Sequence, residues 1–204
     1  MNAVTDTGGA GRISFPAPDA MTPEQKAVYD EIVAGPRGTL VGPLRAALHK
    51  PVLADRWQKL GQVLRFETSI PLALNELAIL VTARRWNSDL EWAIHARDGR
   101  RGGLSEDYIA AVRDGRAPDF GDDAPAREIY AYAREVLMFG DVSDATHRAV
   151  TARWGETGVV ELTAAIGYYS MVAMTLNAHR VPLPDGFTET LPGSRANLSV
   201  IPEA

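Results

Sequence analysis

The chain has 204 residues, 46% of them hydrophobic and 23% charged, enough apolar material to bury a sizeable core in one domain with tails. A net charge of -5 and a pI near 5.4, with no dense Lys/Arg cluster, exclude general affinity for nucleic acid or an anionic membrane. The absence of cysteine excludes disulfides, thiolate metal sites and thiol redox chemistry together.

That absence agrees with a reducing compartment. The N-terminus has no basic start followed by an apolar run, and no uninterrupted apolar segment approaches the ~18 residues of a membrane span. The expected location is the cytoplasm.

Residues 1–20 are rich in Gly, Pro and Ala and read as a mobile lead-in. Thr22-Pro23-Glu24-Gln25 marks a helix start, with Thr22 as N-cap, Pro23 at the first helical position and Gln25 closing a capping box. Ala27, Val28, Ile32 and Val33 form its apolar face, and Gly35-Pro36-Arg37-Gly38 ends it. A short helical piece, LRAALHK, lies between Pro43 and Pro51, and Leu53, Trp57, Leu60 and Leu64 recur at helical steps of three and four.

The next helix follows Ser69-Ile70-Pro71. Its Leu74, Leu77, Ala78, Leu80 and Val81 leave almost no polar side, as burial on most faces requires. It carries Glu76 and breaks at Trp86-Asn87, whereupon a helix opening at Ser88 carries Glu91 and His95. Gly99 and Gly102-Gly103 are expected to stop that helix.

Ser105-Glu106-Asp107 caps a short helix closed by Gly115, RAPDFGDDAP is a linker, and Pro125 opens a long helix to Phe139-Gly140. Ser143 caps a further helix ending at Trp154-Gly155. The last runs from about Gly158 to Ala178, apolar nearly throughout, with small Ala164, Ala165, Gly167 and Ala173 suited to close packing in a bundle or at a subunit contact. Sustained β-alternation is absent, so the fold class is all-α, with a core domain over residues 21–185 and a C-terminal tail over 186–204.

Glu91 and His95 are four residues apart, so a helix sets carboxylate and imidazole on one face, close enough to share a proton. Glu76, on an otherwise apolar helix, needs a partner, since an unpaired buried carboxylate is costly. Arg84 and Arg85 are candidates for holding an anion through a guanidinium fork, or else surface ion pairs. Ser88-Asp89-Leu90-Glu91 also reads as a capping box with Glu91 folded back on the Ser88 backbone. Trp92 and the Tyr168-Tyr169 pair read as packing or as a substrate wall, and Asn177 as a polar amide aimed into a pocket. No metal site is expected: two ligands at i, i+4 lack a third at diagnostic spacing, and no phosphate-binding glycine loop joins a strand to a helix.

The run ELAILVTARRWNSDLEWAIHARDGRRGGLSEDYIAAV resembles the signature of the carboxymuconolactone decarboxylase superfamily, which includes the AhpD-type alkylhydroperoxidases. VSDATHRAVTARWGETGVVELTAAIGYYSMVAMTLNAHRVPLP resembles that family's C-terminal helices. The resemblance implies an AhpD-like helical bundle assembled as a homo-oligomer, commonly a trimer or hexamer, with sites near subunit contacts.

In the peroxidase branch a Glu precedes a CxxC pair and a following His; here these fall on Glu76, Ser88, Glu91 and His95. The acid-base frame is kept and both sulfurs are gone. The resemblance therefore implies a cofactor-independent lyase or isomerase of the decarboxylase type, acting on a small carboxylated or lactone-like aromatic catabolite. In it His95 is the proton donor, Glu91 its partner or an alternative base, and Glu76 the group fixing the imidazole tautomer. Ser88, Trp92, Asn177 and one of Arg84 and Arg85 are the candidates for contacting substrate. Two alternatives stand beside it: a peroxidase relative without its redox cysteines, and a non-catalytic ligand-binding oligomer.

Overall fold

A computed structural model describes residues 11–193 and 198–204. After a 3₁₀ turn at Pro18–Ala20 come eight helices: α1 Pro23–Ala34, α2 Pro43–Ala47, α3 Pro51–Phe66, α4 Leu72–Trp86, α5 Asp89–Arg101, α6 Glu106–Arg113, α7 Ala124–Phe139 and α8 Asp144–His179. Among the described residues there is no strand, and the expected all-α class holds.

Local signals account for most boundaries. Thr22 Oγ1 accepts from the Gln25 N–H while Gln25 Oε1 accepts from the Thr22 N–H at 3.0 Å, the reciprocal box that starts α1. Asp123 and Ser143 accept from Ala126 and Thr146 to start α7 and α8. The two helices expected on either side of Gly155 run together as α8, with a break where Gly155 takes φ 69°, ψ -177°.

Helix α4 is the axis of the molecule. Every residue from Asn75 to Ala83 is buried, and α5, α6, α7 and α8 all pack on it. Two apolar clusters form around it: one joins α4 to α6, α7 and the first half of α8, and the other lies among α1, α2, α3 and the second half of α8. The second cluster forms the surroundings of the cavity described below.

Three expectations are revised. Gly99 does not stop α5 but lies inside it, because α5 rests so closely on α4 that a Cβ at Gly99 would stand 3.3 Å from Leu104 and 3.6 Å from the Glu76 Cβ. The segment expected to be a linker buries Phe120, whose ring packs against Tyr108 and Tyr130 at 4.9 and 5.5 Å. The part of the lead-in that is described, residues 11–20, lies against the body. Arg12 donates its backbone N–H to the His179 carbonyl at 2.9 Å, and Phe15 sits under the Arg45 guanidinium; residues 1–10 fall outside the described residues.

Helix α8 is long and apolar enough to cross a membrane, yet half of its most apolar window is buried within the bundle, as a core helix requires. Its outer face is unusual. Val160, Ala164, Gly167, Met171 and Met174, at steps of four and three, form an apolar stripe that is exposed except at the half-buried Met171. On α3, which packs against α8, Leu53, Leu60, Val63 and Phe66 are also exposed.

Candidate functional site

The turn between α4 and α5 sets the site's geometry. Asn87 takes the left-handed conformation (φ 48°, ψ 49°), and the Ser88 N–H donates to the Ala83 carbonyl at 3.0 Å, closing the end of α4. Two distant segments hold this turn: Asn177 of α8 donates to the Trp86 carbonyl at 2.8 Å, and the Ser199 hydroxyl donates to Asn87 Oδ1 at 2.8 Å. The two helices leave it so that Glu76 of α4 meets His95 of α5.

His95 Nδ1 lies 2.7 Å from Glu76 Oε2, both side chains being almost wholly buried. A carboxylate beside Nδ1 makes that nitrogen the donor, which leaves Nε2 as the nitrogen free for chemistry. The Tyr169 ring stands edge-on to the imidazole at 4.7 Å and limits its rotation.

His95 lines a cavity of about 40 Å³. At roughly 10–15 Å³ per water, this holds about three waters or one small polar group. From α5 come Leu90, Glu91, Ile94 and His95; from α8 come Tyr168, Tyr169, Val172 and Leu176. Arg65 of α3, Pro43 and Leu44 of α2, and Arg37, Val41 and Gly42 of the α1–α2 loop complete the wall.

Glu91 is a poorly compensated group in this wall. It is 1% exposed, and neither carboxyl oxygen has a hydrogen-bond partner among the described residues. Burial pushes its carboxyl well above the ordinary glutamate value of 4.5, opposed only by the nearby Ser88 hydroxyl. The opposition is slight, because Ser88 Oγ makes no hydrogen bond of acceptable geometry to it. Burial therefore favours the neutral, protonated form of Glu91.

The capping-box alternative fails for a local reason. The Ser88 N–H that Glu91 would bind is already donated to Ala83, so Ser88 starts α5 without a side-chain cap and Glu91 turns to the cavity.

The other charged and phenolic groups are set by burial and partners. Burial works against the charge of Arg65, but Tyr169, Asp98 and Glu76 outweigh it, and its guanidinium is paired with Asp98. Burial likewise raises the hydroxyl pKa of Tyr169 well above that of a free tyrosine and raises that of Tyr168.

Of the residues singled out in the sequence, Glu91 and His95 line the cavity, and Glu76 stands directly behind His95. The other five do not line it. Arg84 binds Asn87 Oδ1 and the Ser199 hydroxyl, and Arg85 donates to the Ser199 carbonyl at 2.7 Å. Both arginines are thus spent fastening the C-terminal segment, and burial, working against the attraction of Asp114, lowers the Arg84 pKa. Ser88 is buried at the turn, Trp92 is fully buried with its Nε1–H donated to Glu189, and Asn177 is engaged with Trp86.

The Tyr168-Tyr169 pair, read from the sequence as packing or a substrate wall, also lines the cavity, whereas Arg37 and Arg65 are polar lining that the sequence reading did not name. The only sequence signal for Arg37 is its position in a Gly-Pro-Arg-Gly turn, which does not say which way the side chain faces.

Comparison with known proteins bears on the fold and on one segment of the sequence. Residues 51–135 match the model of the Carboxymuconolactone decarboxylase family, a segment that includes Glu76, Glu91 and His95. No curated protein matches the sequence. Among solved structures, the chain is similar to the alkylhydroperoxidase AhpD core of an uncharacterized peroxidase-related protein from Ralstonia eutropha JMP134, at 12% identity and TM-score 0.71, covering 89% of this chain and 96% of that one. An uncharacterized peroxidase-related protein from Silicibacter sp. TM1040 is similar at 12% identity and TM-score 0.70, covering 91% and 97%. A variant of the debrominase Bmp8 in complex with 2,3,4-tribromopyrrole is similar at 14% identity and TM-score 0.66, covering 88% and 95%. The chain thus carries a segment that matches the carboxymuconolactone decarboxylase family and shares the fold of these AhpD-like structures, without any cysteine.

Proposed function

We propose that the protein is a cofactor-independent lyase or isomerase that moves a proton to or from a carbon of a small carboxylated or lactone-like compound. The observation that supports this most is the buried 2.7 Å pairing of Glu76 with His95 at the wall of a cavity whose other acid, Glu91, is favoured by burial in its neutral form. Loss of carbon dioxide from such a compound leaves an electron pair delocalised into its own carbonyl. Glu91 then donates a hydrogen bond to the oxygen where charge collects, and the His95 imidazolium delivers the Nε2 proton to carbon. The Glu76 carboxylate stabilises the imidazolium before transfer and fixes the tautomer after it. Thiol-based peroxide reduction has no nucleophile here, since the chain has no cysteine.

The cavity is too small for a ring, so a ring-sized substrate enters only if part of its lining moves. Incubating the protein with a panel of small carboxylates and lactones in deuterated water tests the reading. A turned-over substrate gains one carbon-bound deuterium by mass spectrometry. Product formed without deuterium at carbon overturns the mechanism, and turnover of none of the panel removes its support.

The same reading includes a homo-oligomer, a trimer or a hexamer, with a second copy covering the apolar stripe of α8 and the exposed face of α3. A stripe from Val160 to Met174 at heptad-like spacing is what helix pairing needs, and Gly167 has open space where a facing side chain would sit. Val160→Glu with Met174→Glu is expected to leave the circular dichroism spectrum unchanged and reduce the mass by light scattering to that of one chain. A wild-type protein that is already monomeric sinks this assembly.

A further inference from the structure

The proton-transfer chemistry uses only part of the cavity's polar lining. Arg37, which it leaves aside, comes from the α1–α2 loop and lies outside the segment matched to the family model. Its Nε and Nη2 atoms are shut off from solvent without a hydrogen-bond partner, and it takes part in no salt bridge among the described residues. The other arginine in the wall, Arg65, is already paired with Asp98.

Nε and Nη2 form one edge of the guanidinium, the edge that meets a carboxylate with two parallel N–H···O bonds. The Tyr168 hydroxyl stands beside it. Both groups converge on Gly61 of α3, where an added Cβ would overlap the Tyr168 hydroxyl and the Arg37 guanidinium alike. Gly61 thus leaves room for the guanidinium and the phenol side by side; Arg37 acts on the Tyr168 hydroxyl, yet its Nε and Nη2 make no hydrogen bond of acceptable geometry, and buried N–H groups without an acceptor are costly to maintain.

We infer that Arg37, with the Tyr168 hydroxyl beside it, is the subsite that binds the substrate's carboxylate, so that the ligand is a carboxylate anion with an apolar body. The apolar body lies among Val41, Leu90, Ile94 and Val172, which line the same cavity. Every charged or titratable group that faces the bound anion is compatible with it. Arg65 is neutralised by Asp98, Tyr168 and Tyr169 keep their protons, and Glu91 as a neutral acid offers a hydrogen bond where a carboxylate would repel. A volume of about 40 Å³ matches a carboxylate group before the lining moves for the remainder.

The inference rests on the proton-transfer reading only in naming the bound anion a substrate; the binding itself does not depend on it. Calorimetric titration of the full chain with sodium acetate and sodium benzoate, each against its neutral amide, tests it without reading any chemistry. Wild type is expected to prefer acid over amide by about tenfold or more, the scale of a buried charge-assisted fork. Arg37→Gln erases that preference, Arg37→Lys restores part of it by keeping the charge without the fork, and Gly61→Ala weakens acid binding by displacing both groups. His95→Gln keeps the preference even where turnover is lost, so failure of the proton-transfer reading and failure of this subsite are seen separately. No acid preference in wild type, or a preference that survives in Arg37→Gln, overturns the inference.

Discussion

If the proposed proton transfer is the protein's reaction, replacing His95 by glutamine is expected to lower turnover by about 10²- to 10⁴-fold, the contribution of one positioned acid-base group. Glutamine keeps much of the imidazole's bulk and can still donate to Glu76, so the fold and the cavity persist, but it has no proton to transfer. Glu76→Gln acts through the same imidazole. It removes the carboxylate that holds Nδ1–H at 2.7 Å and stabilises the charged ring, leaving His95 in place with a weaker partner. Because the two side chains work as one unit, the double variant is expected to be no worse than His95→Gln alone, a non-additivity that independent roles do not produce. The check is kcat for the four proteins on whichever carboxylate proves to be turned over. Full activity in His95→Gln removes the imidazole from the chemistry.

The second large effect concerns stability and is readable without a substrate. The carboxyl of Glu91 has a pKa raised by burial above the ordinary 4.5. The unfolded chain therefore releases this proton first as pH rises, and between 4.5 and the folded value the folded state binds more protons. Stability from this group is fully present below 4.5 and declines with rising pH by roughly 1.4 kcal/mol per unit until the folded value is passed.

Glu91→Gln removes the titration while keeping the shape. The variant is expected to match wild type in its pH trend below 4.5 and to gain on it progressively as pH rises above 4.5. Urea unfolding of both proteins from pH 4 to pH 8 measures the gap. A difference constant across that range means that Glu91 is ionised in the folded protein, which contradicts the burial argument. A native protein that keeps a group with this penalty, unpartnered, at the wall of a cavity holds it there for a ligand or a reaction.

The line between what can and cannot be read locally is sharp in this chain. The pairing of Glu91 with His95 on one helix face needs only the 3.6-residue period, and the break at Asn87 only that helices end where a short polar residue can turn left-handed. The fate of the SxxE motif is different. Whether Glu91 caps its helix depends on who takes the Ser88 N–H, and α4 takes it through Ala83.

The arginines show the same limit at longer range. Arg84 and Arg85 precede the site in sequence, yet they face the segment around Ser199, which is 114 residues from Arg85 along the chain. Arg37, a loop residue before the second helix, reaches the cavity because Gly61 of α3 leaves room beside Tyr168 of α8. Likewise Phe120 sits in a polar, proline-bearing segment that reads as a linker, and is buried because Tyr108 and Tyr130 meet around it.

By itself the sequence determined the all-helical class, the order and most ends of the helices, the absence of thiol chemistry and the placing of Glu91 and His95 on one helix face; only the family resemblance added Glu76 to that pair. The former follow from periodicity, caps, composition and spacing, which act over a few residues. Only the tertiary structure decided that Glu76 meets His95 Nδ1, that Glu91 is stranded without a partner, and that Arg37 in place of Arg84 or Arg85 faces the cavity. Burial and orientation are set by which helices pack together, and the electrostatics of a site depend on that packing far more than on the order in which its residues occur.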